Sequence, residues 1–248
     1  MKNDMKIALI TGVSRREGIG FETAKQLGQK GFKVIISAFK LDEATPLISV
    51  LNKLGIEADA VEIDITNDSS VIAAVEKIKA EYGKLDLLIN NAVFSILLTA
   101  TIEDEDLSEL TKEVTTNIVG TWRVTQKFIP LLRQSDHGRI VNISSSKGSF
   151  TDTEWGLRNF DESFGPIPAY SITKAAINAI TVKTARELKQ YGILVNAVCP
   201  GFTATYPGLE DKGARPVSDG AEGIVWAATI PDDGPTGLFF RDRKIVPW

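Results

Sequence analysis

Short apolar segments alternate with longer amphipathic segments along nearly the whole chain, and this alternation restricts the folds that the chain can adopt. Seven segments have the character of strands: KIALIT (6–11), FKVIIS (32–37), ADAVEI (58–63), KLDLLIN (84–90), GRIVNIS (138–144), ILVNAVC (193–199) and TGLFFRD (236–242). The segments between them predict helices: 20–30, 43–54, 68–82, 103–133, 169–191 and 218–229. Several strands are apolar at consecutive positions, which is typical of parallel strands covered on both faces. The alternation therefore predicts an α/β fold, with one parallel sheet between two layers of helices.

The chain of 248 residues has no long linker and no internal repeat, so we interpret residues 1–248 as a single domain. Its net charge of −4 gives no electrostatic reason to expect nucleic acid as a partner. Cys199 is the only cysteine, which excludes an internal disulfide, and its apolar surroundings predict a buried thiol on a strand. His137 is the only histidine and is predicted at the surface, and we expect no metal site.

The N-terminal sequence MKNDMKIALITG does not resemble a signal peptide, because its apolar run is short and leads into a polar loop containing glycine. Nowhere does the sequence approach the ~20 consecutive apolar residues of a membrane-spanning helix. We therefore expect a cytoplasmic protein without a membrane partner.

A glycine-rich loop follows the first predicted strand, in the sequence TGVSRREGIGFETAKQL. Gly12 begins a turn, and Gly18-Ile19-Gly20 leads into a helix. Glycines at such positions let the backbone approach a pyrophosphate, and the free N–H groups of the helix then face the phosphates. A glycine pattern alone is a weak signal, but directly after the first strand of an α/β chain it predicts a dinucleotide site.

Two segments rich in glycine and proline interrupt the alternation, at 146–168 and 200–217. Each follows a predicted strand, so each leaves the carboxyl edge of the sheet, where ligands bind in open α/β folds. We predict that these two loops form the walls of a substrate pocket.

Tyr170 and Lys174 lie four residues apart on a predicted helix, in the sequence PAYSITKAA. The spacing places both side chains on one helix face. The pair could be an ordinary solvated helix surface. Alternatively, the ammonium lowers the pKa of the phenol, which would then act as an acid or base.

These motifs together resemble the short-chain dehydrogenase/reductase family, and in particular its carbonyl-reductase-like branch. The resemblance covers nearly the whole chain and implies a Rossmann-like, doubly wound sheet. The family's usual loop is Thr-Gly-x-x-x-Gly-x-Gly, whereas two extra residues separate Gly12 from Gly18 here. Asn90-Asn91-Ala92 matches the family's Asn-Asn-Ala-Gly, with Val93 in place of the glycine.

The resemblance also implies a catalytic tetrad, comprising Asn117, Ser145, Tyr170 and Lys174. In this interpretation Tyr170 protonates the substrate oxygen, Ser145 donates a hydrogen bond to it, and Lys174 lowers the pKa of Tyr170 and binds the nicotinamide ribose. Asn117 holds a water molecule of the proton relay. Enoyl reductases of this fold use Tyr-x6-Lys, and Ile177 occupies the lysine position of that pattern.

The predicted cofactor is NADP(H), with NAD(H) as the alternative. NAD-binding chains place an acidic residue about 20 positions beyond the glycines, to bind the ribose 2′-OH. Phe39 and Lys40 stand there instead, and Arg15 adds a cation in the glycine loop. The residues expected to bind the cofactor are Gly12, Ser14, Arg15, Gly18, Ile19, Gly20, Phe39, Lys40, Asp64, Ile65, Asn91, Ala92, Tyr170, Lys174, Pro200, Gly201 and Thr205.

Roughly twelve residues look inserted between Ser145 and Tyr170, compared with many relatives. Aromatic residues in or beside the two loops either form an apolar pocket or pack the insertion onto the domain: Phe150, Trp155, Phe160, Phe164, Phe202 and Tyr206. The favoured function is reduction of a bulky or aryl ketone or aldehyde by a monomer or a homodimer. The alternatives are oxidation of a secondary alcohol or sugar, and a dinucleotide-binding regulator without turnover.

Overall fold

A computed structural model of the protein describes residues 5–95, 100–159 and 165–248. Its strands are β1 Ile7–Ile10, β2 Lys33–Ala38, β3 Ala58–Glu62, β4 Leu87–Asn90, β5 Arg139–Ile143, β6 Leu194–Cys199, β7 Phe239–Arg241 and β8 Lys244–Ile245. Its α-helices are α1 Ile19–Gln29, α2 Leu41–Lys53, α3 Asp68–Tyr82, α4 Leu107–Glu113, α5 Thr121–Leu132, α6 Pro168–Leu188 and α7 Val217–Ala228. The predicted alternation of strands and helices is confirmed.

The strands form one eight-stranded sheet in the order β3-β2-β1-β4-β5-β6-β7-β8. The first seven are parallel, as predicted, and β8 pairs antiparallel with β7. The sequence did not predict β8, because its turn lacks the usual Asn-Gly signal for a tight hairpin. Asp242 and Arg243 form that turn, with φ angles of 53° and 62°.

The core has two layers because side chains alternate between the two faces of each strand. In β1, Ala8 and Ile10 pack with α1, α2 and α7, whereas Ile7 and Leu9 pack with α3, α5 and α6. All four residues of β1 are buried. This two-sided burial explains the consecutive apolar positions in the sequence.

The helix predicted over 103–133 is divided in the structure. It begins at Leu107, where the Asp106 side chain accepts a hydrogen bond from Ser108 N at 2.8 Å. A π-helical segment, Val114–Gly120, then separates α4 from α5. Such segments interrupt an otherwise regular helix and are frequent at functional sites.

The strand order reverses between β1 and β4, since the chain runs from β1 outward to β3 and returns to β4 on the other side. This is the switch point at which open α/β sheets bind ligands. The glycine loop after β1 and the segments after β4, β5 and β6 therefore share one edge of the sheet.

Candidate active site

The glycine loop lies tightly against the segment that follows β4. Gly12 has a φ of 69°, and a Cβ atom there would lie 2.5 Å from the Ala92 Cα atom. Asn91 Nδ2 donates hydrogen bonds to the carbonyls of Thr11 at 2.7 Å and Gly12 at 3.1 Å. A side chain at position 12 would break this contact, so the glycine is required for the loop to close on β4.

The start of α1 has the features of a phosphate-binding site. Gly18 precedes the helix and supplies no side-chain cap, so the first N–H groups keep no side-chain partner at that end. Gly20 approaches Asn91 so closely that a Cβ atom there would lie 2.6 Å from Asn91 Nδ2. Gly18 and Gly20 have no side chain to obstruct an approach to the first N–H groups of α1, which is the arrangement that binds phosphates in other proteins.

Arg15 bridges the glycine loop and the loop after β6. Its Nη1 atom donates to the Thr205 carbonyl at 3.3 Å, and its guanidinium lies 4.1 Å from the centre of the Tyr206 ring. Ser14, also in the glycine loop, is exposed. Sequence reasoning did not anticipate this bridge, which joins positions 190 residues apart in the sequence.

The end of β2 leaves two of the predicted cofactor residues accessible. Phe39 is 59% exposed, and Lys40 is exposed at the start of α2, which has no side-chain cap. The Glu62 carboxylate accepts a hydrogen bond from Leu41 N at 3.2 Å. Lys40 is the cation at this position that suits an anionic group, because the first N–H group of α2 is already taken by Glu62.

The turn after β3 contains Asp64 and Ile65. The Asp64 carboxylate accepts hydrogen bonds from the Thr66 N–H at 2.8 Å and the Thr66 hydroxyl at 2.6 Å. Ile65 is buried, and its carbonyl accepts from Arg123 at 2.7 Å. These bonds fix the shape of the turn at the same edge of the sheet.

Asn117 lies in the π-helical segment and is buried. Its side chain pairs with the Phe94 backbone through both of its polar atoms, accepting from Phe94 N and donating to Phe94 O at 2.8 Å each. A further bond runs from Asn117 Nδ2 to the Thr173 hydroxyl on α6 at 3.3 Å. Asn117 thus joins the segment after β4 to the helix that carries Tyr170.

Ser145, Tyr170 and Lys174 meet where β5 ends and α6 begins. Ser145 and Tyr170 share a side-chain hydrogen bond. Lys174 Nζ lies 5.5 Å from the centre of the Tyr170 ring and donates to the Ile143 carbonyl at 2.9 Å. Just before α6, Ile167 has a φ of 34°, which is rare for a β-branched residue. The four predicted tetrad residues therefore gather in one place.

The pKa of Tyr170 differs from the expectation. Burial raises it to about 12, partly offset by the Ser145 hydrogen bond, and electrostatic interactions with Cys199 and Glu113 raise it further. Burial also lowers the pKa of Lys174 to about 8, against the opposing influence of Cys199 and Glu113. The sequence predicts a lowered pKa for Tyr170, and this direction is wrong for the protein by itself, because desolvation is the largest influence on the phenol.

The segment after β6 is held by Arg215. Arg215 Nε donates to the Pro200 carbonyl at 2.8 Å, and Nη1 contacts Asp242 at 2.5 Å. Gly201 has a φ of 75°, and the guanidinium packs directly against it. Arg215 thus fastens the Pro200-Gly201 turn to the β7–β8 hairpin.

The first half of the inserted loop is fastened to β7 and to the C-terminus. Arg241 Nη1 donates to Ser146 Oγ at 2.7 Å and to the buried Asp152 carboxylate at 3.0 Å. The Ser149 hydroxyl donates to the Pro247 carbonyl at 2.6 Å. Sequence reasoning missed these residues, because only the fold brings position 241 next to the insertion.

The aromatic residues of the two loops do not converge as one set. Phe150 is 63% exposed, and Tyr206 packs on Arg15. Trp155 is partly buried, with Lys147 Nζ at 5.9 Å from its ring centre. Phe202 is also partly buried, whereas Phe160 and Phe164 lie outside the described residues.

Cys199 is buried at the end of β6, as predicted. His137 lies at the surface, as predicted, with its side chain 42% exposed and its Nδ1 atom 2.8 Å from the Asp232 carboxylate. Within the described ranges, no three acidic, histidine or cysteine residues group as metal ligands would. In the same ranges no helix combines the length and apolar character needed to cross a bilayer.

Comparison with known proteins identifies the family of the chain. The sequence matches the short chain dehydrogenase family over residues 6–208. It is 30% identical to the (+)-neomenthol dehydrogenase of Arabidopsis thaliana, across 97% of each chain. It is 29% identical to the NADPH carbonyl reductase 1 of Sus scrofa, across all of this chain and 96% of the relative. The structure of an NADPH-bound carbonyl reductase from chicken fatty liver superposes with a TM-score of 0.84 at 25% identity, over 98% of this chain and 94% of that one.

Proposed function

The chain belongs to the short-chain dehydrogenase family and is an oxidoreductase, and from this premise we propose that it reduces a ketone or an aldehyde to an alcohol with NADPH. The observation that carries the proposal is the meeting of a phenol, a hydroxyl and a buried amine: Tyr170, Ser145 and Lys174. They lie at the carboxyl edge of the sheet, beside a glycine loop that fits a dinucleotide. A regulator without turnover would need that loop but not the three reactive groups.

The cofactor would be held by the segments that follow β1 to β6. Gly12, Gly18 and Gly20 with the start of α1 would bind the pyrophosphate. The turn at Asp64 and Asn91-Ala92 would contact the adenosine part, and Pro200, Gly201 and Thr205 the nicotinamide part. When bound, the nicotinamide supplies a hydride to the carbonyl carbon of the substrate.

Three side chains then stabilise or neutralise the negative charge that develops on the substrate oxygen. The Ser145 hydroxyl donates a hydrogen bond to that oxygen. The Tyr170 hydroxyl gives up its proton to it, which completes the alcohol. Lys174, one helical turn away, stabilises the resulting phenolate by its positive charge. Asn117 positions α6 through Thr173 and so fixes the place of Tyr170 and Lys174, which α6 carries.

The pKa of about 12 for Tyr170 favours reduction over oxidation. At neutral pH a phenol with this pKa remains protonated and can donate its proton. Oxidation of an alcohol would need the phenolate, which is scarce at that pH. The pKa of about 8 for Lys174 sets the upper pH limit of carbonyl reduction, because the positive charge of Lys174 is lost as the pH rises through that value.

The direction of the reaction can be tested with a panel of carbonyl compounds and their alcohols at neutral pH. We expect NADPH to be consumed with ketones or aldehydes at least ~10-fold faster than NADP⁺ is reduced with the matching alcohols. The loss or gain of reduced-nicotinamide absorbance measures both rates. Faster oxidation than reduction would favour an alcohol or sugar dehydrogenase instead.

A preference for bulky or aryl substituents is part of the proposal. Trp155 and Phe202 are the described loop aromatics that are partly buried, and the anchored insertion gives Trp155 a fixed position. Apolar walls with few polar groups select large apolar ligands. Comparing kcat/KM for an aryl ketone and for a short aliphatic ketone tests this preference.

Lys40 is proposed to select NADPH through the 2′-phosphate. We expect Lys40→Ala to raise KM for NADPH about 10-fold and to leave KM for NADH within about 2-fold, because only the phosphate gains from the cation. Steady-state kinetics with both cofactors measures the effect. Arg15→Ala is the matched comparison, since Arg15 contacts the Thr205 segment. Equal changes in both KM values for Lys40→Ala would contradict the assignment.

A further inference from the structure

Asn178 is a buried asparagine in the middle of α6, four residues beyond Lys174 and therefore on the same helix face. Asparagine is a poor residue for a helix interior, and a buried amide needs hydrogen-bond partners for both its oxygen and its nitrogen. Asn178 is 4% exposed and finds both partners in the segment after β5. No step of the proposed reduction uses this side chain, so its burial at this place calls for a separate reason.

The two hydrogen bonds of Asn178 flank Ser145 along the chain. The Ser144 hydroxyl donates to Asn178 Oδ1 at 2.5 Å, and Asn178 Nδ2 donates to the Gly148 carbonyl at 3.3 Å. Ser144 directly precedes Ser145 in the sequence. Gly148 ends the short 3₁₀ turn that Ser145 caps, and its N–H donates to the Ser145 carbonyl at 2.9 Å. One side chain of α6 therefore holds the chain on both sides of Ser145.

The same segment packs closely on α6 beside Lys174. Lys174 Nζ donates to the Ile143 carbonyl at 2.9 Å, and the Lys174 carbonyl is a second acceptor for the Ser144 hydroxyl at 3.3 Å. A Cβ atom on Gly148 would lie 2.5 Å from the backbone of Lys174 and of Ala175. Any displacement of the segment after β5 relative to α6 would therefore break several contacts at once.

We propose that Asn178 is a positioning residue that sets the place of the Ser145 hydroxyl relative to the Tyr170 hydroxyl. This inference rests on the function proposed above. Asn178 acts through the segment that carries Ser145 and has no contact of its own with the substrate. Both hydroxyls have to reach the same substrate oxygen, and a misplacement of about 1 Å can lower the rate of the chemical step ~10²-fold.

Removal of either partner of the Ser144–Asn178 bond tests this role. We expect Ser144→Ala and Asn178→Ala each to lower kcat for carbonyl reduction about 10-fold and to leave KM for the carbonyl within about 3-fold, because the reacting groups are misplaced while the pocket walls remain. In the double variant the loss of kcat should be smaller than the product of the single losses, since both substitutions remove one shared bond. A loss equal to that product would contradict the proposed route.

Thr181→Val is the matched control, because Thr181 also ties α6 to β5 in the core. Its hydroxyl accepts a bond from Asn142 Nδ2 at 2.9 Å, and Thr181 is fully buried about one turn beyond Asn178. The temperature of thermal unfolding should fall to a similar extent in Thr181→Val and Ser144→Ala, whereas kcat should keep its wild-type value in Thr181→Val. Equal losses of kcat would show that any bond between β5 and α6 serves the reaction, which would overturn the inference.

A measurement without substrate or cofactor reports on the two hydroxyls directly. The chain has four tyrosines, so in protein labelled with carbon-13 at tyrosine Cζ the Tyr170 resonance is assigned by its loss in Tyr170→Phe. Ser145→Ala removes the hydrogen bond to Tyr170 and gives the reference direction of the shift. The resonance should move in that direction in Ser144→Ala and stay in place in Thr181→Val.

The resonance separates failure of the inference from failure of the proposed function. A Tyr170 resonance that does not move in Ser144→Ala would overturn the inference, whatever the activity. The expected movement, in a protein whose wild type reduces no carbonyl compound, would overturn the proposed function alone. Ser144→Ala removes a single oxygen atom, so it carries both tests if Asn178→Ala does not fold.

Discussion

Replacement of Tyr170 by phenylalanine is expected to lower kcat for carbonyl reduction by at least ~10²-fold, because general acid catalysis contributes ~10²–10⁴-fold and the variant has no proton to give. The ring remains, so its packing against α6 and the segment after β5 is kept. Dissociation constants for NADPH, measured by quenching of tryptophan fluorescence, should stay within about 3-fold of the wild type. The loss would therefore be specific to the chemical step.

Tyr191→Phe is the matched control for this experiment. It removes the same hydroxyl group from an exposed tyrosine in the turn that follows the C-terminal end of α6, where the ring packs against Arg133 at 3.8 Å. Its kcat should equal that of the wild type. A Tyr170→Phe enzyme that keeps more than about a tenth of the wild-type kcat would show that another group protonates the product.

The second large effect is expected from Asp152→Ala, which removes the carboxylate that anchors the inserted loop. Asp152 accepts bonds from Arg241 at 3.0 Å, Glu154 N at 2.9 Å and Trp155 N at 3.1 Å. Without the Asp152 carboxylate, Arg241 and the two N–H groups lose an acceptor in a place with little access to water. We expect this loss to lower the free energy of unfolding by about 3 kcal/mol. Urea denaturation measures that cost, and KM for bulky carbonyls should rise as Trp155 loses its support.

Glu154→Ala is the control, since Glu154 lies 3.5 Å from the same arginine with its side chain 67% exposed. An exposed ion pair contributes little, so its loss should change the free energy of unfolding by less than about 1 kcal/mol. Equal effects of the two substitutions would show that the loop is not held by Asp152.

The stabilising effect of Asp152 should depend on pH. Burial raises its pKa, but bonds from Trp155, Glu154, Arg241 and Ser146 outweigh burial, so the pKa in the fold lies below the ordinary value. Asp152 then stabilises the protein fully above the ordinary carboxyl pKa and loses that contribution as the pH falls through the lowered pKa. The difference in unfolding free energy between the wild type and Asp152→Ala should therefore shrink in acid.

The arrangement of strands and helices followed from the sequence because it depends on local patterns. Consecutive apolar residues such as those of β1 specify a strand buried on both faces, and this holds wherever the strand lies. The resemblance to a known family likewise predicted Ser145, Tyr170 and Lys174 as one group, and the structure brings the three together. The division of the long helix at Val114–Gly120 was not predicted, because a π-helical segment has no clear signal in apolar spacing.

Contacts between distant segments could not be predicted from the sequence. Arg241 and Asp152, Arg15 and Tyr206, and Arg215 and Pro200 lie far apart along the chain or in irregular loops. Many charged residues occur at similar places in the sequence, and nothing local distinguishes those that pair. The fold selects the partners by bringing their segments together.

The sequence by itself determined the class of fold and the edge of the sheet at which the candidate site lies, because periodicity and motif spacing are local properties of the chain. Only the tertiary structure decided the desolvation of Tyr170 and Lys174 and the shifts in their pKa values that follow from it. A pKa depends on burial and on every charge within reach, and both depend on how α4, α6 and β6 pack together.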